Sequence, residues 1–413
     1  MTTTYDAIVV GARCGGSPTA MLLARQGHRV LLVDKATFPS DTLSTHYLHQ
    51  PAVAALHRWG LLPEVVASGC PPILQQAIDF GPFTLRGAPP PVDGVAEGYC
   101  VRRTILDEIL VRAAADAGVE VRQGFLVDGL QREGDRVVGL RGQGIGRAMV
   151  SEHARIVVGA DGMNSLVARA VDAATTEAHP SMTCAYYSYW SGVDVTEAEL
   201  YPRPDRMVIA APTNDGHTMV ISYWPAAEFR EVRGDVEGHF MRALELAPDL
   251  AERVRGGRRV APFRGTGNLP NFMRRPQGDG WALVGDAGYH KDPILALGIT
   301  DAFRDAELLA SAVHQGLSGT QSLASALAGY EQQRDAQAAQ GFQNTLQFAT
   351  LQPPPRDVQQ LMAALMGNQE QTDRFMGATI GSVPAQEFFS PENLAEIMGR
   401  NPGLVGAEAG SAT

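Results

Sequence analysis

Cysteine is scarce in this chain. Cys14, Cys70, Cys100 and Cys184 are the only four in 413 residues. None sits in a C-x-x-C pair, and their spacing suits neither a zinc site nor a dense disulfide framework. A reduced, cytoplasmic protein without a metal centre is the expectation. Basic residues are a minority too: 34 Lys and Arg face 45 Asp and Glu, for a formal net charge of −11. Bulk electrostatics therefore argue against nucleic acid or an acidic membrane as partner. Long apolar runs are missing. No stretch approaches the ~18 residues of a transmembrane helix, and Ala7 to Val10 is too short for the apolar core of a secretion signal. No internal repeat is evident. With 45% hydrophobic and 19% charged residues, the composition is that of an ordinary globular protein, with material for a large core and about two or three domains.

Residues 5–10 (YDAIVV) read as a strand, 17–26 as a helix with Pro18 in its first turn and Gly27 as its stop, and 28–35 as a second buried strand. This is a βαβ unit of the kind a parallel sheet requires. Its turn is GARCGGS, residues 11–17, where a dinucleotide site has G-x-G-x-x-G. Gly11 permits the tight turn and Gly16 the close packing of helix on strand, but Arg13 stands in place of the middle glycine. Asp34 lies 23 residues after Gly11, where a carboxylate can bond an adenosine ribose, and the helix N-terminus offers free N–H groups to a pyrophosphate.

Further along, 38–50 reads as loop, 51–60 as a short helix and 80–96 as a Pro/Gly-rich loop or edge crossing. Residues 102–118 form an amphipathic helix, apolar at 105, 106, 109, 110, 113 and 114. Strands are expected over 119–127 and 154–162, then an aromatic-rich antiparallel sheet over 181–275. A strand and turn at 281–288 lead into long helices to about residue 345. The tail has helical patches and a frayed end, GAEAGSAT.

Two more motifs follow strands: GADGMNS (159–165) and GDAGYHKDPILALGITDAFRDAELLA (285–310). An aspartate at a strand end beside glycine can bond a sugar hydroxyl. A glycine-containing helix start can approach a ring carbonyl and stabilise negative charge on it. In their order and spacing the three motifs resemble the para-hydroxybenzoate hydroxylase-type family, the single-component (class A) FAD-dependent aromatic monooxygenases. Geranylgeranyl reductases and flavin halogenases are the wider relatives. The resemblance spans about residues 5–312. It implies an α/β fold: a discontinuous Rossmann-like, GR2-type FAD-binding domain (1–75, 97–180 and 275–340), an inserted antiparallel-sheet substrate domain (76–96 and 181–274), and a C-terminal helical segment (341–413).

The resemblance also implies roles. Gly11, Gly15 and Gly16 line the FAD pyrophosphate, Asp34 holds the ribose with Lys35 beside it, and Val127 approaches adenine by its backbone. Arg103, in an R-x-x-L-D match, reaches the pyrophosphate or ribityl, with Arg102 as second choice. Arg13 either shares the phosphate charge or points away. Asp286 bonds the ribityl or pyrophosphate. Pro293, Leu297, Gly298, Ile299 and Thr300 face the isoalloxazine ring, although Ala296 and Thr300 replace the family's usual glycine and asparagine. Asp161 contacts FAD or the nicotinamide cofactor, or merely builds a turn.

In that chemistry NAD(P)H reduces FAD, dioxygen adds at C4a to give a hydroperoxide, and the distal oxygen passes to a small, electron-rich aromatic or natural-product-like substrate. The protein excludes water, orients the substrate and accepts a proton where one is released. His46, with Tyr47 beside it, and His290 are the candidates; Tyr187, Tyr189 and Trp224 line a planar pocket or, alternatively, fill a sheet core. Two other readings stay open: a reductase or dehydrogenase acting on C–C bonds, and a redox-silent ligand-binding flavoprotein. Halogenation is disfavoured, since Trp59, Trp190, Trp224 and Trp281 include no pair two apart for a W-x-W-x-I-P motif. A homodimer is compatible with all of these.

Overall fold

The β-branched run of residues 4–10 and its partners pair into a parallel sheet. In the computed structural model, which describes residues 4–399, Trp281–Leu283, Val150–Gly159, Thr4–Val10, Val30–Asp34 and Glu120–Gln123 lie side by side in that order. All four pairings are parallel, with Val10 opposite both Gly159 and Val33. Parallel strands share one carboxyl edge, so the loops after residues 10, 34, 159 and 283 converge there. The helices Gly16–Arg25, Arg103–Asp116 and Gly298–Leu317 cover one face of this sheet around Ala7, Val9, Leu32 and Phe303. The α/β expectation holds.

The expected strand over 119–127 is two elements. Gly124 (φ +63°) breaks it. Glu120–Gln123 stays at the sheet edge, while Phe125–Glu133 turns off into an antiparallel hairpin with Arg136–Gly144.

The second sheet runs Arg258–Arg259, Thr183–Ser191, His217–Pro225, Arg206–Thr213, Ala198–Arg203, Gln76–Asp79, Thr84–Gly87. Its faces differ by residue parity. Ala185, Tyr187 and Tyr189 pair with Tyr223, Ile221 and Met219 on the face toward the first sheet. Cys184, Tyr186, Trp190 and Trp224 pack on the other face against Phe240, Leu244 and Leu250. That outer layer comes from the helices Phe229–Gly234, Val236–Leu244 and Pro248–Gly256, inside a stretch read as sheet. The helix Leu323–Ala349 runs through the division expected at 340. Later helices pack on Leu85 at the far edge of the second sheet. The GAEAGSAT end lies outside the described residues. Among them, no helix is long and apolar enough to cross a membrane.

Candidate active site

A cleft of about 750 Å3 opens where the strand ends meet the second sheet. Gly11, Arg13, Gly15, Asp34, Lys35, Arg103, Val127, Asp161, Asp286, Pro293, Gly298, Ile299, His290 and Tyr187 all border it.

The turn after the first strand has no room for side chains. A Cβ on Gly16 would lie 1.8 Å from the Gly11 carbonyl oxygen, and one on Gly11 (φ +102°) 2.3 Å from that of Ala160. Gly16 therefore packs behind the cleft while Gly15 faces it. No side chain caps the helix that begins there, nor the one beginning at Gly298. In the first, Ser17 N bonds Arg13 O and Pro18 has no N–H, so Gly16 is left with the free N–H, while the second start presents its first N–H groups uncapped. Asp34 accepts from the N–H groups of Ala12 and Ala36, at 2.7 Å each. It braces the turn, and its remaining lone pairs are available to a sugar hydroxyl.

Arg103 is buried, with Nε 3.0 Å and Nη2 2.9 Å from Asp107 Oδ1. No described group bonds its Nη1. Asp107, fully buried, also receives Arg13 through Oδ2 and the Cys14 thiol at 3.5 Å. Burial pushes that thiol up to about 12, so it donates as a neutral group. The role of Asp107 escaped sequence reading, although the signal was there as the last residue of R-x-x-L-D.

At the other end Ala296 sits at φ +54°, ψ +28°. This is the left-handed region a glycine enters freely, at a cost to other residues of about 1–2 kcal/mol. Leu297 is the buried cap of the following helix, and Thr300 Oγ1 is buried without a partner. Beneath them lies a buried charge lattice that motif reading missed: Lys291 Nζ is 2.6 Å from Asp301, and Arg304 pairs with Asp301 and Asp305. Burial pushes Asp305 up to about 6. Such a lattice contributes geometry more than stability; here it ties residues 289–292 to the helix start.

A family model described as an FAD binding domain matches residues 4–345. The chain belongs to the FAD binding domain family. This flavoenzyme is 28% identical to a digeranylgeranylglycerophospholipid reductase of Methanosarcina mazei, over 76% of each chain. It is 25% identical to a rifampicin monooxygenase of Rhodococcus hoagii, over 96% of this chain and 81% of the other. Its fold matches that of the myxobacterial chondrochloren halogenase CndH with a TM-score of 0.78, at 22% identity, covering 96% of this chain and 97% of the other. It is an FAD-dependent oxidoreductase. The cleft fits FAD: two helix starts without side-chain caps, one guanidinium nitrogen of Arg103 left without a bonded partner, an acidic strand end, and an open surface at Gly298, whose Cβ would meet nothing within 4 Å.

The other expected residues of the flavoenzyme differ in how they meet the cleft. Asp161 accepts from Ser165 Oγ at 2.5 Å and from Leu166 N at 2.6 Å, so its carboxylate builds the turn and caps the next helix while bordering the cleft. Trp224 requires correction as a pocket residue: strand alternation places it on the outer face, against Phe240 and Tyr186. Its neighbour Tyr223 takes the inner face, donating to Pro293 O at 3.2 Å. Tyr47 is buried against His49, at 4.6 Å between ring centroids. Tyr189 and His46 are enclosed behind Tyr187, with the Tyr189 hydroxyl against His46 Nε2. His290 borders the cleft and donates Nδ1–H to Pro270 O at 2.5 Å, which leaves Nε2 as an acceptor.

His46 is fully buried at φ +61°, and its Nδ1 has no partner. Burial first, then Arg103, Arg102 and Arg264, lower its pKa from 6.5 to about 3. A group held there is a poor proton acceptor near neutral pH. Above pH 6.5 folded and unfolded chains both hold it neutral. As pH falls toward 3 the unfolded chain binds the proton first, so stability drops, by at most about 1.4 kcal/mol per pH unit. In His46→Asn, chosen because asparagine tolerates left-handed backbone, the melting temperature should fall less steeply than in wild type between about pH 7 and 5. Equal slopes would mean that His46 is not held neutral.

Proposed function

We propose that this flavoenzyme is a monooxygenase that uses NAD(P)H and dioxygen to hydroxylate a small aromatic compound. The observation that carries this reading is the far end of the cleft: Tyr187, Ile221 and Leu269 face Pro293, Gly298 and Ile299 across it. The floor beyond Tyr187 is filled by buried Tyr47, Tyr189, Tyr223, Met219 and Ile294. This packing suits a compact, flat substrate better than a long hydrocarbon, which weighs against a lipid reductase. Bound FAD supplies the redox and oxygen chemistry; the chain supplies the surroundings. Tyr187, Ile221 and Leu269 hold a flat ring and exclude water. The helix start at Gly298 stabilises negative charge on the neighbouring ring. His290 Nε2 accepts a proton from a phenol or amine. Arg169, exposed at the mouth beside Asp161, offers a cation to the phosphates of the nicotinamide reductant.

The deciding experiment mixes the yellow protein with NADH or NADPH, follows bleaching near the flavin band, then admits oxygen with a panel of phenols and anilines and analyses products by mass. A product heavier by one oxygen is expected. A halogenated product in the presence of bromide, or a saturated alkene with oxygen excluded, would overturn the reading. His290→Gln should lower kcat about 10²–10⁴-fold with KM nearly unchanged. A rise in KM alone would reduce His290 to part of the wall.

A further inference from the structure

We infer that Arg13 is a positioning residue that pins the strap of residues 36–46 over the flavin, rather than a ligand of its phosphates. The inference rests on the FAD site and stands apart from the monooxygenase reading. Arg13 occupies the place of the middle glycine, where a backbone normally approaches the pyrophosphate. Although the residue borders the cleft, its guanidinium is turned to the strap. Nη2 donates to Ser40 Oγ at 2.9 Å and to Asp41 O at 3.3 Å; Nη1 donates to Ser40 O at 3.3 Å and pairs with buried Asp107. The guanidinium also lies over the Phe38 ring, 5.3 Å from its centroid.

These contacts engage both terminal nitrogens of the side chain and leave the phosphate charge to Arg103 and the helix start. Both arginines share one carboxylate, Oδ2 for Arg13 and Oδ1 for Arg103, so the strap and the phosphate-facing guanidinium are referenced to the same buried anchor. A second anchor holds the strap from the opposite side. Asp41 Oδ2 is 2.9 Å from Arg264 Nη1, on the strand Arg264–Thr266 whose Gly265 and Thr266 border the far end of the cleft. Directly after the anchored pair Ser40 and Asp41, residues Thr42, Leu43, Ser44 and Thr45 border the cleft, and Leu43 is 48% exposed. A strap clamped from two sides at Ser40 and Asp41 sets how residues 42–45 cover a ligand that runs the full length of the cleft. A ligand confined to the adenosine and pyrophosphate end lies outside its reach.

That difference gives the test. FAD release from the full-length, flavin-loaded protein is followed by the return of flavin fluorescence, and ADP, which lacks the ribityl chain and the isoalloxazine ring, is titrated as a competitor of rebinding. Arg13→Ala should speed FAD release about tenfold or more, equivalent to ~1.4 kcal/mol, while the inhibition constant of ADP moves less than about twofold. Arg13→Lys should restore little, because a single ammonium cannot serve a forked set of acceptors. Arg264→Ala, remote from the glycine turn, should speed FAD release in the same sense with ADP again unchanged, and it decides the matter if Arg13→Ala does not fold. ADP weakening in step with FAD would make Arg13 a phosphate ligand and overturn the proposal. Unchanged FAD release in the variants that fold would overturn it as well.

Discussion

Gly16→Ala should purify colourless and in low yield, the result of losing more than about 4 kcal/mol of stability. The added methyl would stand 1.8 Å from the Gly11 carbonyl oxygen and 3.0 Å from Ala160 Cβ. The oxygen belongs to a backbone already fixed by sheet pairing, so nothing can yield cheaply. Gly15→Ala, one position earlier, is the control. Its methyl would approach protein no closer than 3.5 Å, at Val284 O, so the fold should melt within about 2 °C of wild type. It points at the cleft, however, and FAD should bind at least about tenfold more weakly, ~1.4 kcal/mol. Flavin content from the absorbance spectrum and a thermal melt separate the two. Stoichiometric flavin and a wild-type melt in Gly16→Ala would refute the account of the turn.

Arg103→Met should cost about 10²–10³-fold in FAD affinity, from ~3–4 kcal/mol for truncating one member of a buried, hydrogen-bonded charge pair. Methionine keeps much of the stem's packing. Asp107 keeps Arg13 as counter-ion, so the apoprotein should stay folded, and titration of FAD into it is the measurement. If affinity falls less than about threefold, the free Nη1 does not meet the pyrophosphate and the helix starts carry the anion alone.

The βαβ unit was readable because each of its signals is local: β-branched runs, a glycine turn, an acidic residue at the next strand's tip. The second motif and the long helix after Gly298 were readable for the same reason. What escaped was set by partners distant in sequence. The segment 125–144 forms a hairpin because Gly124 lets the chain leave the parallel sheet, and a single glycine in an apolar run does not announce that. The helices of 229–256 were hidden by the aromatic strands before them, although Asp235 caps one and Pro248 opens another. Aromatic content read without parity leaves Trp224 open as pocket or sheet core, and the structure makes it core. Counting alternate positions from Tyr187, through its pairing with Ile221, would have selected Tyr223. Burial of His46 behind two tyrosines depends on the second sheet docking on the first, which no local pattern encodes.

The parity of Thr183–Ser191 bears on engineering. Residues 185 and 187 border the cleft and residues 184, 186 and 190 hold the outer helices, so changes at the first pair alter the cleft wall and changes at the second set alter the packing beneath it. Libraries restricted to Ala185 and Tyr187, which border the cleft, would vary its wall while leaving untouched the residues that hold the outer helices.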